Sequence, residues 1–295
     1  MNRILPLTRR HLGVGLSALA VAACSPFQAF NAVNPLDGAS APVGTASFGP
    51  DPRQRLDVYA PSPAPAGENL PVVVFFYGGG WESGSRQDYA FVGRALAASG
   101  FVTVIPDYRL YPQVRFPAFL EDCAAAVRWV ADTIARYGGD PRRMVLAGHS
   151  AGAYNAAMLA LDTRYLRRAG VDIASIRALA GLSGPYDFLP LDDPTSIQVF
   201  GPERDLAATQ PVTFARPIPS FLATGDNDTR VRPRNTLSLA ARLRAVGGRV
   251  EEKVYAGLDH TDTLLALSVL FRGKAPVLRE LTAFLADAVR PQSGR

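Results

Sequence analysis

Apolar positions along the chain gather into short runs of strand length, separated by longer stretches with helical spacing. The runs lie near 56–59, 72–76, 102–105, 144–147, 178–182, 221–224 and 250–255, and the helical stretches near 89–98, 118–137, 153–161, 235–246 and 276–289. The run Leu70-Pro71-Val72-Val73-Val74-Phe75-Phe76 shows no polar alternation, as expected of a strand covered on both faces. Repeated strand–helix–strand order predicts an α/β fold with a mostly parallel sheet and helices on both faces. No internal repeat or linker divides residues 51–295, which suit one domain with an ample core. Residues 184–219 have little periodicity, and Pro211, Pro217 and Pro219 fall shortly before the next strand. They are expected to form a small cap.

The N-terminal pattern is different. Arg3, Arg9 and Arg10 precede an uncharged run from Leu12 to Ala23 that ends at Cys24. That run is too short to cross a bilayer, so 1–24 reads as a signal peptide rather than an anchor. Val21-Ala22-Ala23-Cys24 resembles a bacterial lipobox, with Cys24 as the lipidated residue, and Thr8-Arg9-Arg10-His11-Leu12 resembles a twin-arginine signal from which Gly13 departs. The expected location is the periplasm or cell envelope, with membrane contact only through that lipid. A simple cleaved signal with an incidental cysteine is the plainer alternative. Residues 25–50, rich in Ala, Pro, Asn and Ser, read as a flexible tether.

Candidate chemistry starts at Gly148-His149-Ser150-Ala151-Gly152, a G-x-S-x-G sequence between the apolar run at 144–147 and a small-residue helix. In a nucleophile elbow the chain turns so sharply that the serine sits in strained backbone geometry with Oγ lifted clear of the sheet. Glycine on either side leaves room for neighbouring backbone. The motif also arises by chance in glycine-rich chains, and the strand before and helix after it make this one informative.

Such a serine needs a base, and the chain has three histidines. His11 lies in the leader. His149 adjoins the nucleophile, where the turn directs its side chain away from Oγ. His260, in a loop after a strand-like run and before an apolar helix starting near Thr263, is left for the role. A carboxylate that holds the imidazole tautomer should fall between serine and histidine in the chain. Asp226 and Asp228, both in the turn after the 221–224 run, are the main candidates, with Asp187 and Asp259 weaker.

The 70–76 run empties into Tyr77-Gly78-Gly79-Gly80-Trp81. Three glycines free the backbone to turn N–H groups toward a developing oxyanion, so Gly79 and Gly80 are expected to join Ala151 as donors. A phosphate-binding loop is the rival, but no G-x-G-x-x-G or G-K-[ST] follows.

Taken together, Gly78-Gly79-Gly80-Trp81, Pro106-Asp107-Tyr108-Arg109-Leu110, Tyr137-Gly138-Gly139-Asp140-Pro141 and the Ser150, Asp228 and His260 segments resemble the α/β-hydrolase esterases and lipases related to hormone-sensitive lipase and bacterial carboxylesterases. The resemblance spans about residues 55–290 and implies the α/β-hydrolase fold. Its spacing G-x-x-D-x-x-V, met as Gly225, Asp228 and Val231, selects Asp228 over Asp226 as the triad acid. One position departs: the family usually carries histidine where this chain has Tyr77, a residue that helps brace the oxyanion loop.

Charge and cysteine content change little. The chain has 31 basic and 26 acidic residues; without the three leader arginines the balance is 28 to 26, and no basic cluster marks a nucleic-acid surface. Cys123, in an alanine-rich helix, reads as a buried inert thiol, and no His/Cys spacing suggests a metal or other cofactor.

The expected activity is hydrolysis of small, short-acyl carboxylic esters by Ser150, His260 and Asp228, with Trp81, Tyr186 and Phe188 lining the substrate site. An arylformamidase-like amide hydrolase, or a polysaccharide-deacylating or feruloyl esterase, is the runner-up. A catalytically silent binding protein is the contrasting class, disfavoured because every part of the machinery is retained. A small ester is the expected partner; oligomeric state is left open.

Overall fold

The structure is a computed structural model that describes residues 26–34, 37, 42–62 and 69–290. The leader, with Cys24, lies outside the described residues.

In chain order the elements are α1 (Pro26–Val33), β1 (Gly44–Ser47), β2 (Arg55–Tyr59), β3 (Leu70–Phe76), α2 (Ala90–Ala98), β4 (Val102–Pro106), α3 (Ala118–Thr133) and β5 (Gly139–His149). Then come α4 (Ala151–Leu161), α5 (Arg164–Arg168), β6 (Ile176–Leu182), α6 (Pro194–Phe200), β7 (Ser220–Gly225), α7 (Arg234–Ala245), β8 (Val250–Tyr255), α8 (Asp262–Leu265) and α9 (Val277–Ala288). The eight strands form one sheet in the order β1-β2-β4-β3-β5-β6-β7-β8. The β1/β2 and β2/β4 pairs are antiparallel and the other five parallel. This is the α/β-hydrolase fold.

The sheet centre explains the unbroken apolar run. Val72 to Phe76 have no exposed surface, and Met144 to Ala147 beside them are equally covered. Burial along the full strand requires layers on both faces, which removes the pressure for polar alternation. The strand expected near 144–147 extends back to Gly139, because Gly139 pairs with Leu70 across a register shift. Helix α4 lies over β3, β5 and β6, so the segment that follows Ser150 is anchored on the centre of the sheet. Its eleven residues are all buried. That is why its apolar positions show no stripe in the sequence.

Within the expected tether, the described residues 26–34 and 42–50 pack against the domain. Helix α1 places Phe27 and Phe30 against Phe91, with ring centroids 6.4 and 5.3 Å apart. Asn31 Nδ2 donates to the Asp88 carbonyl at 2.9 Å, and its Oδ1 accepts from Phe91 N at 3.0 Å. Strand β1 then adds an edge to the sheet beside β2. Two phenylalanines one helical turn apart carry the docking, each able to contribute on the order of 1–2 kcal/mol when largely buried. The surrounding Ala and Asn composition conceals that pair.

Candidate active site

Ser150 lies between the end of β5 and the start of α4 with φ 54° and ψ −126°, a conformation a side-chain-bearing residue holds only under constraint. The elbow is too tight for side chains on either flank. A Cβ on Gly148 would sit 2.4 Å from Gly152 backbone, and one on Gly152 would sit 2.0 Å from the Phe76 carbonyl oxygen. Ser150 N donates to the Leu182 carbonyl on β6 at 2.9 Å, which ties the turn to the neighbouring strand.

Three loops at the C-terminal ends of β5, β7 and β8 bring Ser150, Asp228 and His260 together. His260 Nε2 is 2.9 Å from Ser150 Oγ, and His260 Nδ1 is 2.8 Å from Asp228 Oδ2. The other carboxylate oxygen, Asp228 Oδ1, accepts from Arg230 N at 3.0 Å and Val231 N at 2.8 Å. Burial raises the Asp228 pKa, but the hydrogen bond and charge of His260 and the Val231 N–H outweigh it, so the carboxyl stays below its ordinary value and ionised. Asp226 is exposed and accepts from Gly257 N at 2.7 Å, clamping the β7 and β8 loops together. Asp187 accepts from the Ser238 hydroxyl and Asp259 from Thr261 N, so neither faces His260.

The glycine loop after β3 carries positive φ at Gly79 (127°), Gly80 (62°) and Trp81 (61°). Gly78 N donates to the Tyr89 hydroxyl at 3.0 Å, whereas the Gly79 and Gly80 N–H groups have no acceptor among the described residues. Ala151 opens α4, where the first N–H groups lack an intrahelical partner. The N–H groups named from the sequence thus have no acceptor among the described residues. Beneath the loop, Tyr77 stacks on Tyr108 at 4.7 Å, and the Tyr108 hydroxyl donates to the Tyr77 carbonyl at 2.7 Å. The hydroxyl of Tyr77 points to Arg53, whose Nη2 donates to it at 2.6 Å and to the Gly84 carbonyl at 2.8 Å. Arg86 pairs with Asp107 and Asp57, and Arg109 with Asp122.

Ser150 and Ala151 open into a cleft of about 420 Å³ lined also by Trp81 and Phe188. Trp81 is held by its Nε1 bond to Asn155 Oδ1 at 3.1 Å and by edge-on contacts with Tyr154 and Phe200. Tyr186 does not reach the cleft. It is fully buried, lying so close over Gly181 and Gly184 that a Cβ on either would clash with its ring or hydroxyl, and its N–H donates to Asn235 Oδ1 at 3.0 Å. Val199 and Phe200 are likewise core residues. The segment expected to act as a cap, 184–219, contributes Pro185, Phe188, Asp192, Asp193, Thr195 and Ser196 to the wall. Arg230, Arg232 and Arg234 line the wall after β7, so the mouth is more polar than the aromatic content of the segment suggests.

One neighbour of the serine went unassigned in the sequence. His149 points away from Oγ as expected, yet its Nε2 lies 3.0 Å from the His260 carbonyl oxygen. Burial, and then the proximity of His260, push its pKa down to about 3, so the ring is neutral. The available signal was the motif itself, which places one of only three histidines beside Ser150. Cys123 is buried within α3 and takes a weak bond from Asn155 Nδ2; burial pushes its thiol pKa up.

Residues 56–243 match the family described as BD-FAE. A probable isoprenylcysteine alpha-carbonyl methylesterase of Oryza sativa subsp. japonica is 31% identical over 264 residues, covering 81% of this chain and 61% of that protein. Esterase LipC of Mycobacterium tuberculosis is 34% identical over 222 residues, covering 68% of this chain and 54% of that protein. The chain thus spans little more than half the length of these curated relatives. Among solved structures, a truncated carbohydrate esterase from gut microbiota superposes with a TM-score of 0.74 at 18% identity, covering 87% of this chain and 99% of that one. The metagenomic carboxylesterase EstE1 gives 0.70 at 22% identity, with 90% and 94% covered. These likenesses agree on the fold.

Proposed function

The chain belongs to the BD-FAE family, and from that premise we propose that it is a serine carboxylic-ester hydrolase acting on small, short-acyl esters through an acyl-enzyme. The reading is carried by the hydrogen-bonded line from Ser150 Oγ through both His260 nitrogens to Asp228. Relatives named esterase and methylesterase support ester hydrolysis, and the cleft supports a compact substrate.

Ser150 Oγ attacks the ester carbonyl carbon while His260 Nε2 takes its proton. Asp228 accepts from Nδ1–H throughout, which keeps Nε2 free as a base and stabilises the imidazolium once formed. The N–H groups of Gly79, Gly80 and Ala151 receive the oxyanion; each well-placed donor is worth about 3–4 kcal/mol. Collapse of the tetrahedral intermediate expels the alcohol, protonated by His260, and leaves the acyl group on Ser150. Water, deprotonated by His260, then attacks the acyl-enzyme and releases the carboxylic acid.

The deciding experiment is hydrolysis of p-nitrophenyl acetate and butyrate by wild type, Ser150→Ala and His260→Ala. Both variants should fold and lose activity. Turnover by Ser150→Ala within tenfold of wild type would remove Ser150 from the role of nucleophile.

A further inference from the structure

Two histidine rings meet behind the elbow, with centroids 5.0 Å apart, and only His260 touches Ser150 Oγ. We infer that His149 is a positioning residue that couples the loop carrying the candidate oxyanion donors to the backbone of His260, through a hydrogen-bonded series from Gly78 N–H to the Tyr89 hydroxyl, the His149 ring and the His260 carbonyl. The inference rests on the reading of Ser150 as nucleophile and His260 as base.

Donor and acceptor chemistry gives the series a direction. Gly78 N–H donates to Tyr89 Oη at 3.0 Å, which leaves the Tyr89 proton for His149 Nδ1 at 3.4 Å. With Nδ1 accepting, the proton of the neutral ring resides on Nε2 and is donated to the His260 carbonyl at 3.0 Å. The opposite tautomer would set a lone pair of Nε2 against that carbonyl oxygen. His149 and Tyr89 are both buried, so loss of either bond would leave a polar group with little access to water.

The same three elements are in close contact elsewhere. A Cβ on Gly78 would lie 2.9 Å from Ser150 Cβ, 3.0 Å from the His149 carbonyl oxygen and 3.1 Å from His149 Nδ1. The glycine loop therefore rests directly on the elbow and on His149, and a shift of the ring would move the donor loop as well as the base. Charged and titratable groups facing His149 are Tyr89, His260, Asp228 and Arg230. Remaining neutral among them, His149 adds no positive charge beside the imidazolium that His260 becomes during attack. A displacement of about 1 Å in such a site can lower turnover on the order of a hundredfold.

The test uses the full chain with p-nitrophenyl acetate, and begins with wild type and Ser150→Ala. If wild type is inactive or Ser150→Ala active, it is the underlying functional reading that fails. Given that reading, His149→Leu should lower kcat roughly ten- to a hundredfold, with KM within about threefold and a folded circular-dichroism spectrum. His149→Gln, whose amide can donate to the His260 carbonyl and accept from Tyr89, should recover most of the lost kcat. A merely space-filling role predicts that Leu is no worse than Gln. Should His149→Leu fail to fold, Tyr89→Phe carries the test. It breaks the series at one atom and should lower kcat severalfold without raising KM. Unchanged kcat in a folded His149→Leu or Tyr89→Phe protein, or no recovery with Gln, overturns the inference.

Discussion

The Arg53 guanidinium donates to the Tyr77 hydroxyl at 2.6 Å, and the tyrosine thereby becomes part of the pillar under the glycine loop. Arg53 Nε also donates to the Tyr108 carbonyl at 2.9 Å, so one side chain ties the segments after β3 and β4 together. The family resemblance implies a histidine at this position; here Tyr77 directs its hydroxyl at a cation. Tyr77→Phe should cost about 1.5–3 kcal/mol, the worth of one hydrogen bond to a charged donor, and lower kcat a few-fold through a looser loop. Thermal unfolding and kcat with p-nitrophenyl acetate check this. An unchanged Tm together with unchanged kcat would mean that the Arg53–Tyr77 bond does not support the loop.

Asp228 and Asp226 share a turn and differ only in what they face. Asp228→Asn leaves an amide opposite His260 Nδ1, favouring the wrong tautomer, and should lower kcat by roughly 10³–10⁴ with little change in KM. Asp226→Asn loses only part of the clamp to Gly257 and should stay within a few-fold of wild type. Reversed magnitudes in steady-state kinetics would move the acid to Asp226.

Acyl-chain preference follows from the cleft. Trp81 and Phe188 are its aromatic lining, supported from behind by Tyr154 and Phe200, while the mouth carries Asp192, Asp193, Arg230, Arg232 and Arg234. A long chain would run from an apolar floor into a charged rim, where each added CH₂ forgoes the roughly 0.8 kcal/mol it gains on burial. Across p-nitrophenyl esters, kcat/KM should peak at acyl groups of about two to six carbons. A value still rising at twelve to sixteen carbons, with activation at an oil–water interface, would contradict the short-acyl reading.

His149 also sets a pH dependence of stability. Its folded pKa is depressed to about 3 from the ordinary 6.5, so between those values the unfolded chain binds a proton that the folded chain excludes. Stability from this group is complete above about pH 6.5 and is lost as pH falls toward 3, at about 1.4 kcal/mol per unit of pKa difference. The depressed carboxyls of Asp228, Asp51 and Asp140 add most of their own loss below their unfolded value, about 3.9, so the step from pH 7 to 4.5 is weighted toward His149. Moving from pH 7 to 4.5 should lower the Tm of wild type more than that of His149→Gln. Equal losses would show that His149 is not the group responsible.

Export is a separate expectation, resting on the leader alone. Membrane fractions of the producing bacterium should hold the wild type, and Cys24→Ala should shift it to the soluble fraction. A wild type found wholly soluble would rule out lipidation at Cys24.

The sequence by itself determined the layered α/β plan, because a strand buried on both faces must be apolar throughout, and β3 and β5 are. It also singled out the elbow, where steric crowding admits only glycine at 148 and 152. These features are local, each written within a few residues. The packing of α1 on α2, the withdrawal of Tyr186 into the core, the direction of the Tyr77 hydroxyl toward Arg53 and the bond from His149 to the His260 carbonyl are not local. Each depends on where a side chain of one segment meets backbone or charge from another, as with His149 and His260, 111 positions apart. Such meetings are decided when the sheet order brings distant loops to one edge. Until then a phenylalanine, a tyrosine or a histidine has the same intrinsic chemistry in the core as in the site, and only tertiary structure assigns its partner.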